Sequence, residues 1–281
     1  MTVLIAGCGD LGTEVGLRLA ALGRTVVGLR RRAEMLPAPL TGVSVDLATE
    51  RPPVPADTDL VVVTIAAGNP DPAVYRAAYV TGLTNLLDAL DTAGARPTRF
   101  LMVSSTAVYD VNDGSAVDED TPANPGPGTD SILLEAEQLL HDRIPSAVVL
   151  RLGGIYGPGR ERLIDQVRQG RATVAELGRL SNRIHRDDAA AMIVHLLTRQ
   201  ATPDPLYIGV DSAPVPAAEV LAFVAGELDL PVPEIVETGS RRGGDKRLSN
   251  ERILATGFTL TYPGYREGYR AVLAGVGVRH P

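Results

Sequence analysis

The sequence predicts an α/β protein in which a doubly wound parallel sheet is joined to a smaller C-terminal substrate or cap region. Short β-branched and apolar runs alternate with helical patterns over residues 1–155, and a Gly-x-Gly-x-x-Gly motif follows the first run. This alternation is lost beyond Tyr156. We therefore expect residues 1–155, with returning segments at about 184–212, to form the sheet domain. The cap is expected to comprise residues 156–183 and 213–281.

The first strand, a tight turn and the first helix are predicted within the N-terminal 22 residues. An apolar run at residues 3–6 precedes the motif GCGDLG at residues 7–12 and an amphipathic segment. Gly7 permits the turn, Gly9 lets a pyrophosphate approach the backbone, and Gly12 lets helix and strand pack closely. The helix N-terminus offers N–H groups and a partial positive charge to an anion. The motif indicates a dinucleotide site, with a plain glycine turn as the alternative.

The end of the second strand indicates which dinucleotide binds. Residues 25–29 form this strand, which leads into Arg30, Arg31 and Arg32, and the first acidic residue is Glu34. NAD sites of this type carry Asp or Glu here, whereas NADP sites carry Arg, which can bind the 2′-phosphate bidentately. The arginines favour NADP over NAD, and a solvated basic turn is the alternative.

The remaining elements follow from the same patterns. Strands are expected at residues 43–46, 60–65, 100–103, 147–152 and 206–210; helices at 71–95, 131–141, 161–170, 186–197, 214–228, 249–255 and 265–274; an extended segment at 231–238; and a loop at 110–128. Since ligands bind at the carboxyl ends of parallel strands, the expected cofactor contacts lie at those ends. They are Gly7, Gly9, Asp10, Leu11, Gly12, Arg30, Arg31, Arg32, Asp46, Leu47, Ile65, Ala66, Ala67, Ser104, Gly154 and Ile155.

Composition excludes several classes of function. The formal net charge of the 281 residues is −7, and the arginine cluster is local, so no nucleic-acid partner is expected. No apolar run reaches the roughly 18 residues of a membrane span, so we expect a cytoplasmic protein. Cys8 is the only cysteine, which rules out an intramolecular disulfide, and no His, Asp or Glu spacing resembles a metal site.

Five ordered motifs carry a family resemblance: the glycine motif, YVTGLTNLL, VSSTAVY, LRLGGIYGPGR and RIHRDDAAAMIVHLL, followed by the tail KRLSNERILATGF. In order and spacing they resemble the extended short-chain dehydrogenase/reductases, the NAD(P)-dependent epimerase/dehydratase family. The resemblance implies a Rossmann sheet domain, a cofactor across the glycine motif and a small-molecule cleft between sheet and cap. It also implies that a homodimer would pair the helices at residues 71–95 and 131–141.

The resemblance breaks at the family's proton-relay pair, a Tyr followed four residues later by a Lys. Alignment on the helix LLEAEQLL places Thr129 and Leu133 at these two positions. Lys246 is the only lysine and residue 242 is Arg, so the sequence contains no Tyr-x-x-x-Lys. Ser105 matches the family's serine, and Tyr79 falls where many members carry Asn.

Three functions remain compatible with these residues. In the first, an NADP-dependent oxidoreductase or epimerase-like enzyme takes its proton from Tyr109, Tyr79, His185 or water, while Ser105 and Thr129 orient the substrate oxygen. Because a Thr hydroxyl is too weak an acid to replace the Tyr, reduction of an imine or a polarised C=C bond fits better than carbonyl reduction. The second is a non-catalytic NADP(H) sensor or regulatory subunit, and the third is a non-redox enzyme on the same fold.

Further candidates are assigned to the substrate side of the cleft. They are Tyr79, Tyr156, Arg183 and His185. Arg183 can bind a phosphate or carboxylate, or pair with the acidic excess of the chain. His185 can face substrate or cap the helix that follows it, and Tyr109 can serve as an acid or pack in the core with a partner for its hydroxyl.

Overall fold

The computed structural model describes residues 1–239 and 243–281. The strands are β1 Thr2–Ala6, β2 Thr25–Arg30, β3 Thr41–Ser44, β4 Thr58–Val63, β5 Arg99–Ser105, β6 Asn112–Val117, β7 Val148–Leu152, β8 Gly154–Tyr156, β9 Arg171–Val174, β10 Leu180–Ser181, β11 Arg183–His185, β12 Leu206–Gly209, β13 Val215–Pro216, β14 Glu234–Glu237 and β15 Asp245–Leu248. The helices are α1 Asp10–Ala21, α2 Pro72–Tyr75, α3 Gly82–Thr92, α4 Thr129–Arg143, α5 Arg162–Arg168, α6 Arg186–Thr198, α7 Ala217–Glu227, α8 Glu251–Ala255 and α9 Tyr265–Leu273.

A parallel seven-stranded sheet in the order β12-β7-β5-β4-β1-β2-β3 forms the centre of the described chain. The strand order reverses between β1 and β4, which is where ligands bind in sheets of this kind. All five residues of β1 are buried, as expected when helices cover both faces of a sheet. The predicted doubly wound α/β fold is therefore confirmed.

Two apolar cores lie on opposite faces of the sheet because side chains alternate along each strand. Val3 and Ile5 join one core with residues of α1 and α6, whereas Leu4 and Ala6 join the other with residues of α3 and α4. A third core holds the cap together, and α5, α7 and α9 contribute to it. The cap thus packs as its own layer beside the carboxyl ends of the strands.

The predicted helix at residues 71–95 contains a change of helical type. Asp71 caps α2 by accepting hydrogen bonds from the N–H groups of Ala73 and Val74. A π-helical turn, Arg76–Thr81, then connects α2 to α3. Such turns are frequent at functional sites, and Tyr79 lies within this one.

Two tertiary features differ from the expectations. The predicted loop at residues 110–128 contains β6, which pairs in parallel with β15, and no local pattern encodes a partner so distant in sequence. Part of the expected cap range also returns to the sheet domain, since Ile253, Phe258 and Leu260 pack in the core that contains α1 and α6. Their apolar character alone did not indicate which core they would join.

A search of the described residues finds no helix with the length and apolar character needed to cross a bilayer.

Candidate active site

A cavity of about 830 Å³ lies at the carboxyl ends of the central strands. The glycine motif, the arginines after β2 and the small residues after β4 surround it. Of the expected cofactor contacts, it is lined by Gly7, Gly9, Asp10, Leu11, Gly12, Arg30, Arg31, Arg32, Asp46, Leu47, Ile65, Ala66, Ala67, Ser104 and Ile155. We call it the cofactor cavity.

The glycines of the motif divide into two kinds. Gly7 has φ +79°, and a Cβ there would lie 2.6 Å from the backbone of Ile65; a Cβ on Gly12 would lie 2.7 Å from Thr64 Oγ1. Packing therefore requires both of these residues to be glycine. At Gly9 a Cβ would meet no protein atom closer than 3.9 Å, although the residue lines the cavity. Packing therefore does not require glycine at this position, and a dinucleotide pyrophosphate at the N-terminus of α1 fits this arrangement.

Asp10 lies in the first turn of α1, and its carboxylate is contacted by two arginines and one backbone N–H. Arg160 Nε lies 2.9 Å from one oxygen, and Arg186 Nη1 lies 2.9 Å from the other. The backbone N–H of His280 also donates to Asp10 Oδ1. These contacts offset the repulsion that a carboxylate would otherwise exert on a bound phosphate.

The end of the cavity next to β2 carries a cationic edge. Arg31 and Arg32 are exposed, and Arg30 is half-buried and donates to the carbonyl of Pro281. Glu34 is exposed and does not line the cavity. The side chain of Asp46 accepts from the N–H of Ala48 and therefore closes the turn after β3.

A second cavity, of about 590 Å³, lies between the sheet domain and the cap. It shares Ser105, Gly153, Ile155 and Arg160 with the cofactor cavity, so the two are adjacent along one wall. Of the remaining predicted site residues, Gly154, Tyr156 and Arg183 line this second cavity, whereas Tyr79 lines the cofactor cavity. We call the second one the substrate cavity.

The face of α4 that the resemblance associates with proton transfer reaches the site in part. Leu133 lines the cofactor cavity, so an apolar side chain stands where the family carries Lys. Thr129 is the first residue of α4, donates to Asp130 and lines neither cavity. The expected role of Thr129 in orienting substrate has no support from its position.

Tyr109 and His185 are likewise placed away from both cavities. Tyr109 is 1% exposed, and its ring packs beneath the guanidinium of Arg151 at 4.7 Å. His185 is fully buried, and its Nδ1 accepts from the N–H of Asp187 at the start of α6. Burial lowers the pKa of His185, which favours the neutral ring. Packing describes the position of Tyr109 better than contact with substrate does, but its hydroxyl lacks the expected hydrogen-bond partner among the described residues. The capping alternative describes His185 better.

A buried ion pair joins β7 to α4 beside the cofactor cavity. Arg151 of β7 contacts both carboxylate oxygens of Glu137 on α4, with a shortest N–O distance of 2.6 Å. The hydroxyl of Ser104 also donates to Glu137, so this side chain, although on the cavity wall, is held by protein. The neighbouring Ser105 hydroxyl accepts from the N–H of Ala107 and faces both cavities.

Lys246 is the site residue that the sequence prediction missed. Its side chain is 1% exposed, lines the substrate cavity and donates to the carbonyls of Tyr109, at 2.7 Å, and Gly243, at 2.9 Å. Burial, reinforced by the Arg179 guanidinium, lowers its pKa to about 8. Its rarity as the only lysine was visible in the sequence, but its position depends on β15, which comes from the distant C-terminal region.

No group of His, Cys, Asp and Glu side chains within residues 1–239 and 243–281 has an arrangement that could hold a metal ion.

Comparison with known proteins agrees with the fold. A 3-diazoavenalumate denitrifying reductase from a Streptomyces species is 28% identical, with coverage of 95% of this chain and 99% of the relative. A structure described as an NAD-dependent epimerase/dehydratase from Methylobacillus flagellatus is 38% identical, covers 98% of both chains and has a TM-score of 0.79. The UDP-glucuronic acid 4-epimerase of Bacillus cereus, solved with UDP-glucuronic acid and NAD, shares the fold at 17% identity, 98% coverage of both chains and a TM-score of 0.83.

The model of the NAD dependent epimerase/dehydratase family matches residues 3–209, a span that includes the glycine motif and, except for Thr2, all strands of the central sheet. The resemblance seen in the motifs is thereby confirmed, and the chain belongs to the NAD-dependent epimerase/dehydratase family.

Proposed function

We propose that this protein is an NADP(H)-dependent reductase of a small molecule. The observation that carries the proposal is the shared wall of the two cavities, formed by Ser105, Gly153, Ile155 and Arg160. NADPH, when bound, would supply a hydride at this wall to an acceptor in the substrate cavity. A sensor that only binds the dinucleotide has no need of an adjoining cavity of about 590 Å³.

The arginines after β2 support NADP over NAD. Arg30, Arg31 and Arg32 all line the cofactor cavity, and no carboxylate follows β2 at the position that holds an NAD ribose. A guanidinium can bind a phosphate through two parallel hydrogen bonds. This preference is inferred from the arginines of this chain and not from the related structures that have NAD bound.

The acceptor is proposed to be one whose reduction requires no tyrosine acid. Hydride addition to a carbonyl forms an alkoxide that must be protonated, yet Leu133 and Thr129 replace the residues that would assist. Reduction of an imine, a polarised C=C bond or a cationic diazonium group forms no alkoxide. The name of the Streptomyces relative describes a reductase of a diazo compound, which supports this class of acceptor. Water or a cavity side chain can supply any proton that such an acceptor needs.

The test is a titration of the purified protein with NADPH, followed by nicotinamide fluorescence, and then a panel of imines, enones, diazo compounds, aldehydes and sugar nucleotides. We expect NADPH binding, and acceptor-dependent loss of NADPH with an imine, enone or diazo compound. The matched control is Gly9→Val, which places a branched side chain where the pyrophosphate approaches and should abolish binding in a folded protein.

Each contrary outcome has its own meaning. Binding of NADPH without turnover of any acceptor would overturn the reductase assignment in favour of a sensor. Absence of binding, or binding unchanged by Gly9→Val, would overturn the cofactor assignment. Turnover of sugar nucleotides without net loss of NADPH would instead indicate an epimerase.

A further inference from the structure

We propose that the substrate cavity binds a carboxylate group of the acceptor through the Lys246 ammonium, with the Arg179 guanidinium beside it. The proposal deepens the function given above and rests on it, because it names the chemical class of molecule that occupies the substrate cavity.

The first supporting observation is that Lys246 points inward from β15 at a place where the pairing of β15 with β6 is irregular. Asp245 lies opposite Asn112, whereas Arg247 lies opposite Ala116, so β6 contains extra residues at this point relative to β15. Irregularities of this kind change the direction of a side chain and are common beside active sites. Side chains alternate along a strand, so Lys246 is buried on the cavity wall, while its neighbour Arg247 is exposed.

The second observation is that Asn182 fixes the backbone from the carbonyl of this lysine to the N–H of Leu248. Its Nδ2 donates to the carbonyl of Lys246 at 2.9 Å, and its Oδ1 accepts from the N–H of Leu248 at 3.0 Å. Together with the two carbonyls that the ammonium contacts, these bonds hold the lysine from both ends. A long flexible side chain is therefore pre-organised, which reduces the entropy lost when a ligand binds.

The third observation concerns charge. The Lys246 ammonium has three donors and contacts two carbonyls, and no carboxylate of the described residues lies within 4 Å of it. The charge of Arg179 disfavours the ammonium, whereas Asp130 and Asp110 act in the opposite sense with smaller effects. A buried cation without an anionic partner is costly, and a ligand carboxylate would supply that partner.

The other charged residues that line the substrate cavity are mainly cationic. Among the residues that the structure describes, the cationic members of this wall are Arg160, Arg162, Arg179, Arg183 and Lys246, and the acidic member is Glu176. Arg160 is already paired with Asp10, and Arg162 contacts the hydroxyl of Thr173. The name 3-diazoavenalumate also denotes the anion of an acid, in keeping with an anionic acceptor. A monocarboxylate matches a site built around one buried ammonium more closely than a diphosphate does.

Isothermal titration of the NADP⁺-loaded protein with cinnamate and with methyl cinnamate tests this site without requiring turnover. The two probes differ in the carboxylate charge, and we expect cinnamate to bind at least tenfold more tightly. Lys246→Met should weaken cinnamate binding by about 10- to 100-fold, the range expected for one charged hydrogen bond. The control Arg247→Met removes the same charge from the outer face of the same strand and should leave the affinity unchanged.

The pH dependence provides a second readout that a purely structural lysine would not change. Cinnamate affinity should fall as pH rises from 7 to 9.5, because the ammonium loses its proton in the free protein. In Lys246→Arg the cation persists over this range, so the affinity should become nearly independent of pH. This variant also keeps the experiment decisive if Lys246→Met does not fold, which NADPH affinity and a thermal melt would reveal.

Equal binding of the acid and its ester, or unchanged binding to Lys246→Met, would overturn the proposal, as would binding of UDP in place of cinnamate. Failure of the reductase function has a different signature. Lysine-dependent carboxylate binding without turnover of any acceptor would overturn the reductase function alone. Turnover that does not depend on Lys246 would overturn the carboxylate site alone.

Discussion

At the residue scale, the proposed preference for NADP rests on the three arginines that follow β2. Replacing Arg30 with Asp and Arg31 with Ala should reverse the preference for NADPH over NADH by more than tenfold, or about 1.4 kcal/mol. The new carboxylate would repel the 2′-phosphate and could accept hydrogen bonds from an NAD ribose. Nicotinamide fluorescence titrations with both cofactors measure the change. Arg168→Asp, an exposed charge change in α5 and outside both cavities, is the matched control. Equal affinity of the unmodified protein for NADPH and NADH would contradict the prediction.

Other single residues show that the chemical type of a side chain does not determine whether it lines a cavity. Tyr109 and His185 have side chains suited to proton transfer, yet both are buried away from the cavities. Lys246 stood out in the sequence only as a rarity, yet it is the ammonium of the substrate cavity. Residue type was therefore readable from the sequence, whereas access to a cavity was not.

At the element scale, α4 combines an apolar contact with the site and a buried polar anchor. Leu133 faces the cofactor cavity, and Glu137, one helical turn later, binds Arg151 of β7. Both charged side chains are at most 6% exposed. Residues one turn apart share a helix face, so the anchor sets how α4 lies against the strands beneath the site.

The anchor predicts a large effect on stability. Glu137→Ala should lower the free energy of unfolding by about 3–5 kcal/mol, because it leaves the Arg151 guanidinium buried without a counter-charge. Replacing both residues, as Glu137→Leu with Arg151→Met, should recover much of this loss. Urea denaturation of the two single variants and the double variant measures the coupling. The predicted coupling would be refuted if the losses in the single variants were additive in the double variant.

At the scale of the whole molecule, one buried carboxylate links stability to pH where the sheet domain meets the cap. Asp211, just beyond β12, is 2% exposed, and one of its oxygens has no hydrogen-bond partner within the described residues. Burial raises its pKa to about 7, although the N–H of Ala213 and the charge of Arg183 act in the opposite direction. The folded state therefore holds this proton over a pH range in which the unfolded state has released it.

Asp211→Asn should stabilise the protein increasingly as pH rises. Because the folded-state pKa of Asp211 is raised, its contribution to stability is complete below about pH 4 and is lost as pH approaches 7. The variant keeps the acceptor for Ala213 and cannot ionise. Its advantage in melting temperature over the parent should be smallest near pH 4, grow until about pH 7 and then remain constant. An advantage that is the same at pH 5 and pH 8 would contradict this linkage.

The sequence was sufficient for the features that depend on neighbouring residues. The alternation of strands and helices, the glycine motif and the arginines after β2 are local patterns, and the predicted cofactor contacts other than Gly154 line one cavity. Strand ends converge in a parallel sheet because every strand points the same way. Residues that follow the strands in the sequence can therefore be predicted to lie together in one site.

Only the tertiary structure decided the features that require distant segments to meet. The pairing of β6 with β15, the return of Ile253 to the core of the sheet domain and the entry of Lys246 into the substrate cavity each join residues separated by tens to more than a hundred positions. Hydrophobic periodicity states that a side chain will be buried but not which surface will bury it. The cofactor cavity could thus be predicted from the chain, whereas the wall that faces the substrate could not.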